Sequence, residues 1–401
     1  MKLLHTSDWH IGHTLYAKKR YEEHEKFLGW LVETICRRDI DALIVAGDVF
    51  DTGAPGGAAQ RLYYGFLTSL LGTCCKTVII IAGNHDSPAL IEAPAGVLEH
   101  LDIHTVGLPS APQRHVIKLK DKDGNTAALC CAVPYLRKNE MVRLSDDTQT
   151  SDQMIALETA RFYRETADEA QRLKKECGEV PIVATGHLFA AGALRTEGDG
   201  VRELYVGSLG QVAADVFPKA FDYIALGHIH GAQVVANQPH IRYCGSPLPM
   251  SFAETGREKY VIEAELDGSG LNIQQIAVPV FQALHRISGS HEQIMAQLAA
   301  IAGKDVWIEV TYTDATPCPF LSADVFNAVK GGLAQVLSIR NAAAVSEMLS
   351  DAGNETLESL SVQEVFLRCL NTAAFGDEER QALISCFDEA VRMLEDEESC
   401  A

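Results

Sequence analysis

Five short apolar runs, each followed by a turn that contains Asp, Asn or His, are the feature that most restricts how this 401-residue chain can fold. The runs are rich in Ile and Val, which predicts buried β-strands rather than helices. Between the first two runs, apolar residues recur at helical spacing from Phe27 to Ile35. Because strands and helices alternate, we expect an α/β layered fold. The five runs are Lys2–His5, Ala42–Ala46, Val78–Ala82, Pro181–Thr185 and Tyr223–Leu226.

The pattern changes after residue 282. A small β-α-β-α-β pattern without Asp/His turns follows, then a polar stretch, and finally two helical patterns, the first opened by a capping box at Ser361–Glu364. We therefore expect a main domain at 1–282, a small α+β domain at 283–345, a linker at 346–360 and a C-terminal helical pair at 361–401.

Charge and cysteine content bear on two possible functions, nucleic-acid binding and zinc binding by cysteines. The formal net charge is −20, which argues against strong nucleic-acid affinity of the whole chain, although residues 377–401 alone contribute −7. Net charge does not decide what a local cleft binds, and bound divalent cations would reverse the local sign. The eleven cysteines include no CxxC pair, and we interpret the adjacent pairs Cys74-Cys75 and Cys130-Cys131 as small buried residues in a reducing compartment rather than a zinc site.

The termini and hydropathy predict a cytoplasmic protein. No run of about 18 apolar residues is present, so no membrane span is expected. Charged Asp8 follows the N-terminus too soon for a signal peptide.

The polar turns are expected to form a metal site. His228 and His230 share one face of an extended segment, and ligands of α/β sheets bind at the carboxyl ends of strands. Glycines immediately before four of the candidate ligands (Gly47, Gly83, Gly186 and Gly227) would let the backbone turn and approach closely. The mixed imidazole, carboxylate and amide set suits Mn, Fe or Zn, and it is large enough for two ions that share a carboxylate. The candidates are Asp8, His10, Asp48, Asn84, His187, His228 and His230.

The same turns carry a family resemblance. "SDWH", "GDVFD", "GNHD", "GH" at Gly186 and "GHIH" at Gly227 resemble the signatures of the calcineurin-like metallophosphoesterases. "LLHTSDWHIG", "IVAGDVFDTGAP", "RYCGSPLPMSF" and "LESLSVQEVF" resemble the bacterial SbcD family more closely. The resemblance implies a layered β-sandwich flanked by helices, a small α+β capping domain and a C-terminal helical pair.

The resemblance also implies residue roles. It assigns Asp8, His10 and His230 to one Mn²⁺ and Asn84, His187 and His228 to a second, with Asp48 bridging. His85 would stabilise the charge on phosphorus or protonate the leaving oxygen, and Asp86 would orient His85. Asp51 could either support the metal ligands or cap the next segment.

The implied activity is that of a Mn²⁺-dependent nuclease, acting as a 3′→5′ exonuclease on duplex DNA and an endonuclease on hairpins and single strands. The implied partner is the ATPase SbcC, which the C-terminal helices would bind, and a homodimer within a heterotetramer is expected, with helix 58–71 as a candidate contact. That helix could equally be an ordinary core helix. Candidate DNA contacts are Lys18, Lys19, Arg20, Arg137, Lys138 and Arg195.

Two other functions are compatible with parts of the sequence. A phosphodiesterase for small nucleotides would use the same metal site. A non-catalytic adaptor for SbcC would keep the fold without activity. The presence of all seven ligand positions and His85 argues against the adaptor.

Overall fold

A computed structural model describes two compact units of the chain, Met1–His285 and Arg286–Ala401. Among the described residues, no helix is long and apolar enough to cross a membrane. The nine cysteines in the described part of the chain are all free. The expected burial holds for Cys130 and Cys131, whereas Cys74 and Cys75 are only partly buried. The described residues are 1–137, 140, 152–190, 214–267, 270–314, 316, 318–341, 363, 366–367, 370, 380–381 and 383–387.

The first unit contains a six-stranded sheet built around the first three apolar runs. Its strands are β1 (Lys2–Thr6), β4 (Ala42–Ala46), β5 (Thr77–Ile81), β6 (Ile103–Val106), β13 (Lys259–Asp267) and β14 (Gly270–Val278). Their order is β14-β13-β1-β4-β5-β6. Strands β1, β4, β5 and β6 are parallel, so their carboxyl ends lie at one edge.

A second six-stranded sheet carries the other two runs. Its strands are β7 (Val116–Lys120), β8 (Thr126–Cys131), β9 (Ile182–His187), β10 (Tyr223–Gly227), β11 (Gln233–Val235) and β12 (Gln238–Tyr243). Their order is β11-β12-β10-β9-β8-β7, in which β8, β9, β10 and β12 are parallel.

The two sheets pack face to face, because one apolar cluster joins side chains of both, such as Ile44 and Ile79 with Ala128 and Val183. Helices cover the outer faces. The first sheet packs against α1 (Tyr21–Arg38) and α2 (Gly57–Ser69), and the second against α5 (Asp152–Cys177). Two short helices follow β5: α3 (Pro88–Glu92) and α4 (Ala95–Leu98). This is the layered α/β arrangement expected from the alternating pattern.

Helix α2 contains the segment considered for a dimer contact. Its Tyr63, Phe66 and Leu67 are buried in the core of the first sheet. Burial in the core is enough to explain why these three residues of α2 are apolar. The dimer contact through α2 stays a prediction.

Residues 283–341 have the expected β-α-β-α-β order, and their first strand begins three residues before the second unit. The elements are β15 (Ala283–Gly289), α6 (His291–Ile301), β16 (Val306–Tyr312), α7 (Leu321–Val329) and β17 (Gln335–Asn341). Ser290 and Gln293 form a capping box that starts α6. The two helices bury Ile294, Leu298 and Val325 against the sheet.

The C-terminal region is described at only a few positions. The linker 346–360 and the capping box at Ser361 lie outside the described residues. The described positions between 363 and 387 are helical, and the rings of Phe366 and Phe387 stack with centroids 3.9 Å apart. The helical pair is thus described in part, by one contact between its two segments.

Candidate metal centre

The seven candidate ligands lie at the carboxyl ends of strands from both sheets. Parallel pairing places these ends side by side within each sheet, and the facing sheets bring the two edges together. Asp8 and His10 follow β1, Asp48 follows β4, Asn84 follows β5, His187 ends β9, and His228 and His230 follow β10.

Asp8, His10 and His230 form a first cluster. Their potential ligand atoms all lie within 4.8 Å of one another. The Nε2 atoms of His10 and His230 are 3.2 Å apart. Two ligand atoms that share one cation at about 2.0–2.2 Å are separated by roughly 3.0–3.4 Å, so this spacing fits a shared cation.

Asn84, His187 and His228 form a second cluster. The Oδ1 atom of Asn84 lies 3.0 Å from Nε2 of His187 and 2.9 Å from Nδ1 of His228. An amide oxygen between two imidazole nitrogens is a donor set that suits a borderline divalent cation.

Asp48 lies between the two clusters. Its Oδ2 atom is 3.2 Å from Nε2 of His187 in the second cluster and 3.7 Å from Nε2 of His10 in the first. Its Oδ1 atom accepts a hydrogen bond from the backbone N–H of His85 at 2.8 Å, which fixes the carboxylate plane. The carboxylate is therefore placed where a bridging ligand would be needed.

The electrostatics of the buried centre also fit bound cations. Burial raises the pKa of Asp8 to about 6, with His187 opposing and Asp48 adding to the rise. Burial disfavours the protonated ring of His187, but attraction to Asp48 outweighs this effect and raises its pKa to about 9. Divalent cations compete with protons for such ligands, so metal binding here would depend on pH.

Four candidate ligands have left-handed backbone conformations. The φ angles are 52° at Asp8, 47° at His10, 50° at Asp48 and 101° at His228. Positive φ costs free energy in non-glycine residues, and such residues cluster at functional sites when the surroundings hold them there. The sequence gives no signal of these conformations, which turn the side chains toward one point.

Backbone groups orient the ligands. The carbonyl oxygen of Ala46 accepts from Nδ1 of His187 at 2.9 Å, so in the neutral ring Nε2 presents its lone pair to the centre. Asp8 accepts from the backbone N–H of His228 at 2.9 Å and from the hydroxyl of Ser7. These bonds connect the ligand-bearing turns of the two sheets.

Close backbone approach explains two of the glycines. A Cβ at Gly83 would overlap Oδ1 of Asp48, and a Cβ at Gly227 would overlap the carbonyl oxygen of Ala46. The expectation that glycine permits the ligand-bearing turns to meet is confirmed at both positions.

Gly83→Ala is therefore expected to push Asp48 out of place. We expect it to weaken divalent-metal binding by at least about tenfold and to destabilise the fold by about 1–3 kcal/mol through overpacking. The matched control is Gly29→Ala in α1, where a Cβ meets nothing within 4 Å. Metal titration and urea unfolding of both variants test this; unchanged metal binding in the Gly83 variant would contradict it.

His85 lies beside the first cluster. Its Nδ1–H donates to the backbone carbonyl oxygen of Asp51 at 2.8 Å, and its ring stands perpendicular to that of His10 with centroids 4.8 Å apart. The tautomer is fixed by the carbonyl, because a carbonyl oxygen only accepts. The ring is thus held next to the centre by the Asp51 carbonyl oxygen, and its Nδ1–H does not donate to the carboxylate of Asp86.

Asp86 has a different role from the one expected. Its carboxylate accepts from the backbone N–H groups of Val49, Phe50 and Gly83 at 2.9–3.1 Å. It therefore joins the turns after β4 and β5, rather than orienting His85. The carboxylate thereby satisfies three buried amide donors.

Asp51 supports the first cluster. Its Oδ1 atom lies 3.2 Å from Nδ1 of His13 and 3.5 Å from Nδ1 of His10. Burial alone would raise the pKa of Asp51, but the nearby rings of His10 and His13 outweigh it and hold the pKa well below its usual range. Of the two alternatives for Asp51, this geometry favours support of a ligand.

The candidate DNA contacts other than Arg20 fall into three groups. Lys18 and Lys19 form strand β3, which pairs with β2 (Thr14–Leu15) in a short hairpin after His10, and Lys19 is exposed. Nη2 of Arg137 donates to the carbonyl oxygens of Gly83 at 3.3 Å and Asp86 at 2.7 Å, so Arg137 braces the turn that carries Asn84 and His85, a contact that the sequence does not signal. Lys138 and Arg195 lie outside the described residues.

The expectation for Arg20 is wrong. Its side chain is fully buried and forms a two-pronged ion pair with Glu23 at 2.6 and 2.9 Å, and Nη1 donates to the carbonyl oxygen of Pro249 at 2.6 Å. An arginine in a lysine-rich run looks like a surface residue in sequence. Here it starts α1 as a structural ion pair instead.

Arg20→Met should leave the carboxylate of Glu23 buried without its partner. We expect a loss of about 3 kcal/mol in the free energy of unfolding, since removing one member of a buried pair strands the other charge. Lys19→Met is the control and should change stability by less than about 0.5 kcal/mol. Urea unfolding measures both, and equal stability of the two variants would disprove the structural role.

Comparison with known proteins agrees with the geometry. The calcineurin-like phosphoesterase family matches residues 1–232, and the Type 5 capsule protein repressor C-terminal domain matches residues 280–373. A relative from Escherichia coli (strain K12), named as the SbcD component of the nuclease SbcCD, is 36% identical and covers 98% of each chain. Relatives with that name from Rhodobacter capsulatus and Bacillus subtilis are 37% and 32% identical and cover 67% and 65% of each chain.

The similarity to solved structures is too low to support the family assignment. A family 1 β-glucosidase from Thermotoga maritima superposes with a TM-score of only 0.19 at 11% identity, over 84% of this chain and 83% of that chain, which carries no argument about fold or function. The family matches and the relative that is similar along the full chain decide which family the chain belongs to. The chain therefore belongs to the SbcD family of calcineurin-like phosphoesterases.

Proposed function

We propose that the chain is a DNA nuclease that hydrolyses phosphodiester bonds with two divalent cations, Mn²⁺ being preferred. Membership in the phosphoesterase family implies divalent metal ions. The observation that carries the proposal is the position of Asp48, whose Oδ2 atom lies between a cluster of one carboxylate and two histidines and a cluster of one amide and two histidines.

The two clusters would hold one cation each. Asp8, His10 and His230 would bind the first, and Asn84, His187 and His228 the second, with Asp48 contributing to both. When bound, such a pair of cations polarises phosphoryl oxygens and lowers the pKa of water that attacks phosphorus. The buried, hydrogen-bonded ligands keep the donor geometry fixed before cations arrive.

His85 would act on the substrate. Its Nδ1–H donates to the carbonyl oxygen of Asp51, so in the protonated ring Nε2–H is the group that would donate to a phosphoryl oxygen or give its proton to the leaving oxygen. Asp86 and Arg137 fix the turn on which His85 lies, through the backbone groups of Gly83 and Asp86. These residues position the chemistry without taking part in it.

DNA is the proposed substrate because the relatives are named as parts of a nuclease. By the family resemblance, we infer 3′→5′ exonuclease action on duplex ends and endonuclease action on hairpins and single strands. The name also makes SbcC the proposed partner, with the C-terminal helices as its binding segment and a homodimer of this chain within the complex. A partner that grips DNA would account for a chain with a net charge of −20.

The test is hydrolysis of three substrates by the purified chain with Mn²⁺, Mg²⁺ or EDTA, with and without SbcC and ATP. The substrates are linear duplex DNA labelled at one 3′ end, a DNA hairpin, and a small chromogenic phosphodiester. Mn²⁺-dependent cleavage of both DNAs supports the proposal. Hydrolysis of the small diester alone would favour a small-molecule phosphodiesterase, and SbcC binding without hydrolysis of any substrate would favour an adaptor.

A further inference from the structure

A buried ammonium group lies beside the first cluster. Lys259 begins β13 and is only 8% exposed. Its Nζ atom donates to Oε1 of Glu254 at 2.6 Å, to Oγ of Ser246 at 2.9 Å and to the backbone carbonyl oxygen of His230 at 3.1 Å. An ammonium has three N–H donors, so all three are used, and one of them holds the backbone of a candidate metal ligand.

Strand pairing joins the element that carries Lys259 to the one that precedes a second ligand. Strand β13, which Lys259 begins, pairs antiparallel with β1, and Asp8 follows β1. The ammonium of Lys259 and the carboxylate of Asp8 attract each other. The ammonium therefore acts on two of the three members of the first cluster.

The turn around His230 is packed against the segment that Lys259 organises. The carbonyl oxygen of His230 also accepts from the backbone N–H of Ser246 at 3.2 Å, and a Cβ at Gly245 would lie 2.6 Å from it. Glu254 accepts from the backbone N–H of Met250 at 2.5 Å while it pairs with Lys259. Residues 245–254 and the His230 turn thus share one polar junction centred on the ammonium.

We propose that Lys259 is a positioning residue that holds the backbone of His230, so that the His230 ring points at the same cation as Asp8 and His10. The inference rests on the proposed function, because it assumes that these three residues bind one cation. Loss of an outer partner of a metal ligand typically lowers metal affinity by about 10–100-fold. Removal of the Lys259 ammonium should therefore weaken binding of the cation at the first cluster and leave binding at the second cluster unchanged.

The competing role for Lys259 is purely structural, as the counter-charge of Glu254. Lys259→Met removes the ammonium but strands a buried carboxylate. The double variant Lys259→Met/Glu254→Gln removes both charges, which is far less costly than removing one partner. If Lys259 only neutralises Glu254, the double variant recovers normal metal binding; if it positions His230, the double variant does not.

The experiment is calorimetric titration of each protein with Mn²⁺, with the electron paramagnetic resonance spectrum recorded for the coupled pair of ions. Wild type and the control Lys118→Met, at an exposed position of β7, should bind two Mn²⁺ per chain. The double variant, checked for folding by its thermal unfolding, should bind one ion normally and the other about 10–100-fold more weakly, with loss of the coupled spectrum.

Two wild-type sites in the double variant would overturn the role of Lys259 and leave the proposed function standing. Failure of the wild type itself to bind a pair of ions would overturn the proposed function and this inference with it. The single variant is not needed for the decision, so a folding defect in Lys259→Met leaves the test intact.

Discussion

Asp48→Asn is expected to eliminate the paired metal site and with it nearly all hydrolysis. The substitution keeps the size of the side chain, but it leaves only one oxygen where a charged carboxylate lies 3.2 Å from His187 and 3.7 Å from His10. Loss of a carboxylate that serves two cations should lower the rate more than loss of a single electrostatic contact. We therefore expect the rate of hydrolysis to fall by more than about 10³-fold. Initial rates on labelled duplex DNA and Mn²⁺ stoichiometry measure the two effects.

Asp41→Asn is the matched control for this variant. Asp41 is also a buried aspartate next to β4, but it lies at the amino end of the strand and accepts from the backbone N–H of Lys2 at 2.8 Å. It should keep two bound ions and normal hydrolysis. Retention of two bound ions by Asp48→Asn would show that Asp48 does not bridge them.

His85→Ala is expected to lower the rate of hydrolysis without changing metal binding. Loss of a positioned acid or charge-stabilising group typically lowers the rate by about 10²–10⁴-fold. The ring of His85 contacts His10 and the carbonyl oxygen of Asp51, and it is absent from both proposed ligand sets. We therefore expect the hydrolysis rate to drop within this range while two Mn²⁺ still bind with normal affinity.

The control for His85→Ala is His240→Ala on β12, a partly buried histidine at some distance in sequence from every candidate ligand. It should change neither rate nor metal binding. Loss of one bound ion in His85→Ala would reassign His85 as a ligand, and an unchanged rate would remove it from the reaction.

The sequence predicts the strands and turns of the centre because each carries a local signal. Four of the five apolar runs end at a glycine, and the polar residue that follows is then placed at a sheet edge. Parallel pairing of β1 with β4 and of β9 with β10 then places the ligand-bearing turns side by side, because it aligns the carboxyl ends of the strands. The order of elements in the second unit follows from the same periodicities.

The supporting contacts are not predictable in this way, because they depend on which groups the folded chain brings together. Arg20 reads as part of a basic surface run, yet its partners are Glu23 and the carbonyl oxygen of Pro249. Asp86 reads as the partner of its neighbour His85, yet its carboxylate bonds three backbone amides, two of them on the preceding turn. Tertiary hydrogen bonds, rather than residue type, decide both roles.

The central claim is that one carboxylate joins two cation sites, and a crystal of the protein grown with Mn²⁺ tests it most directly. Anomalous scattering at the manganese edge should give two peaks roughly 3.5–4 Å apart, the spacing of two-metal phosphoesterase sites. Asp48 should contact both peaks, with Asp8, His10 and His230 at one and Asn84, His187 and His228 at the other. A single peak, or two peaks without Asp48 between them, would contradict the account.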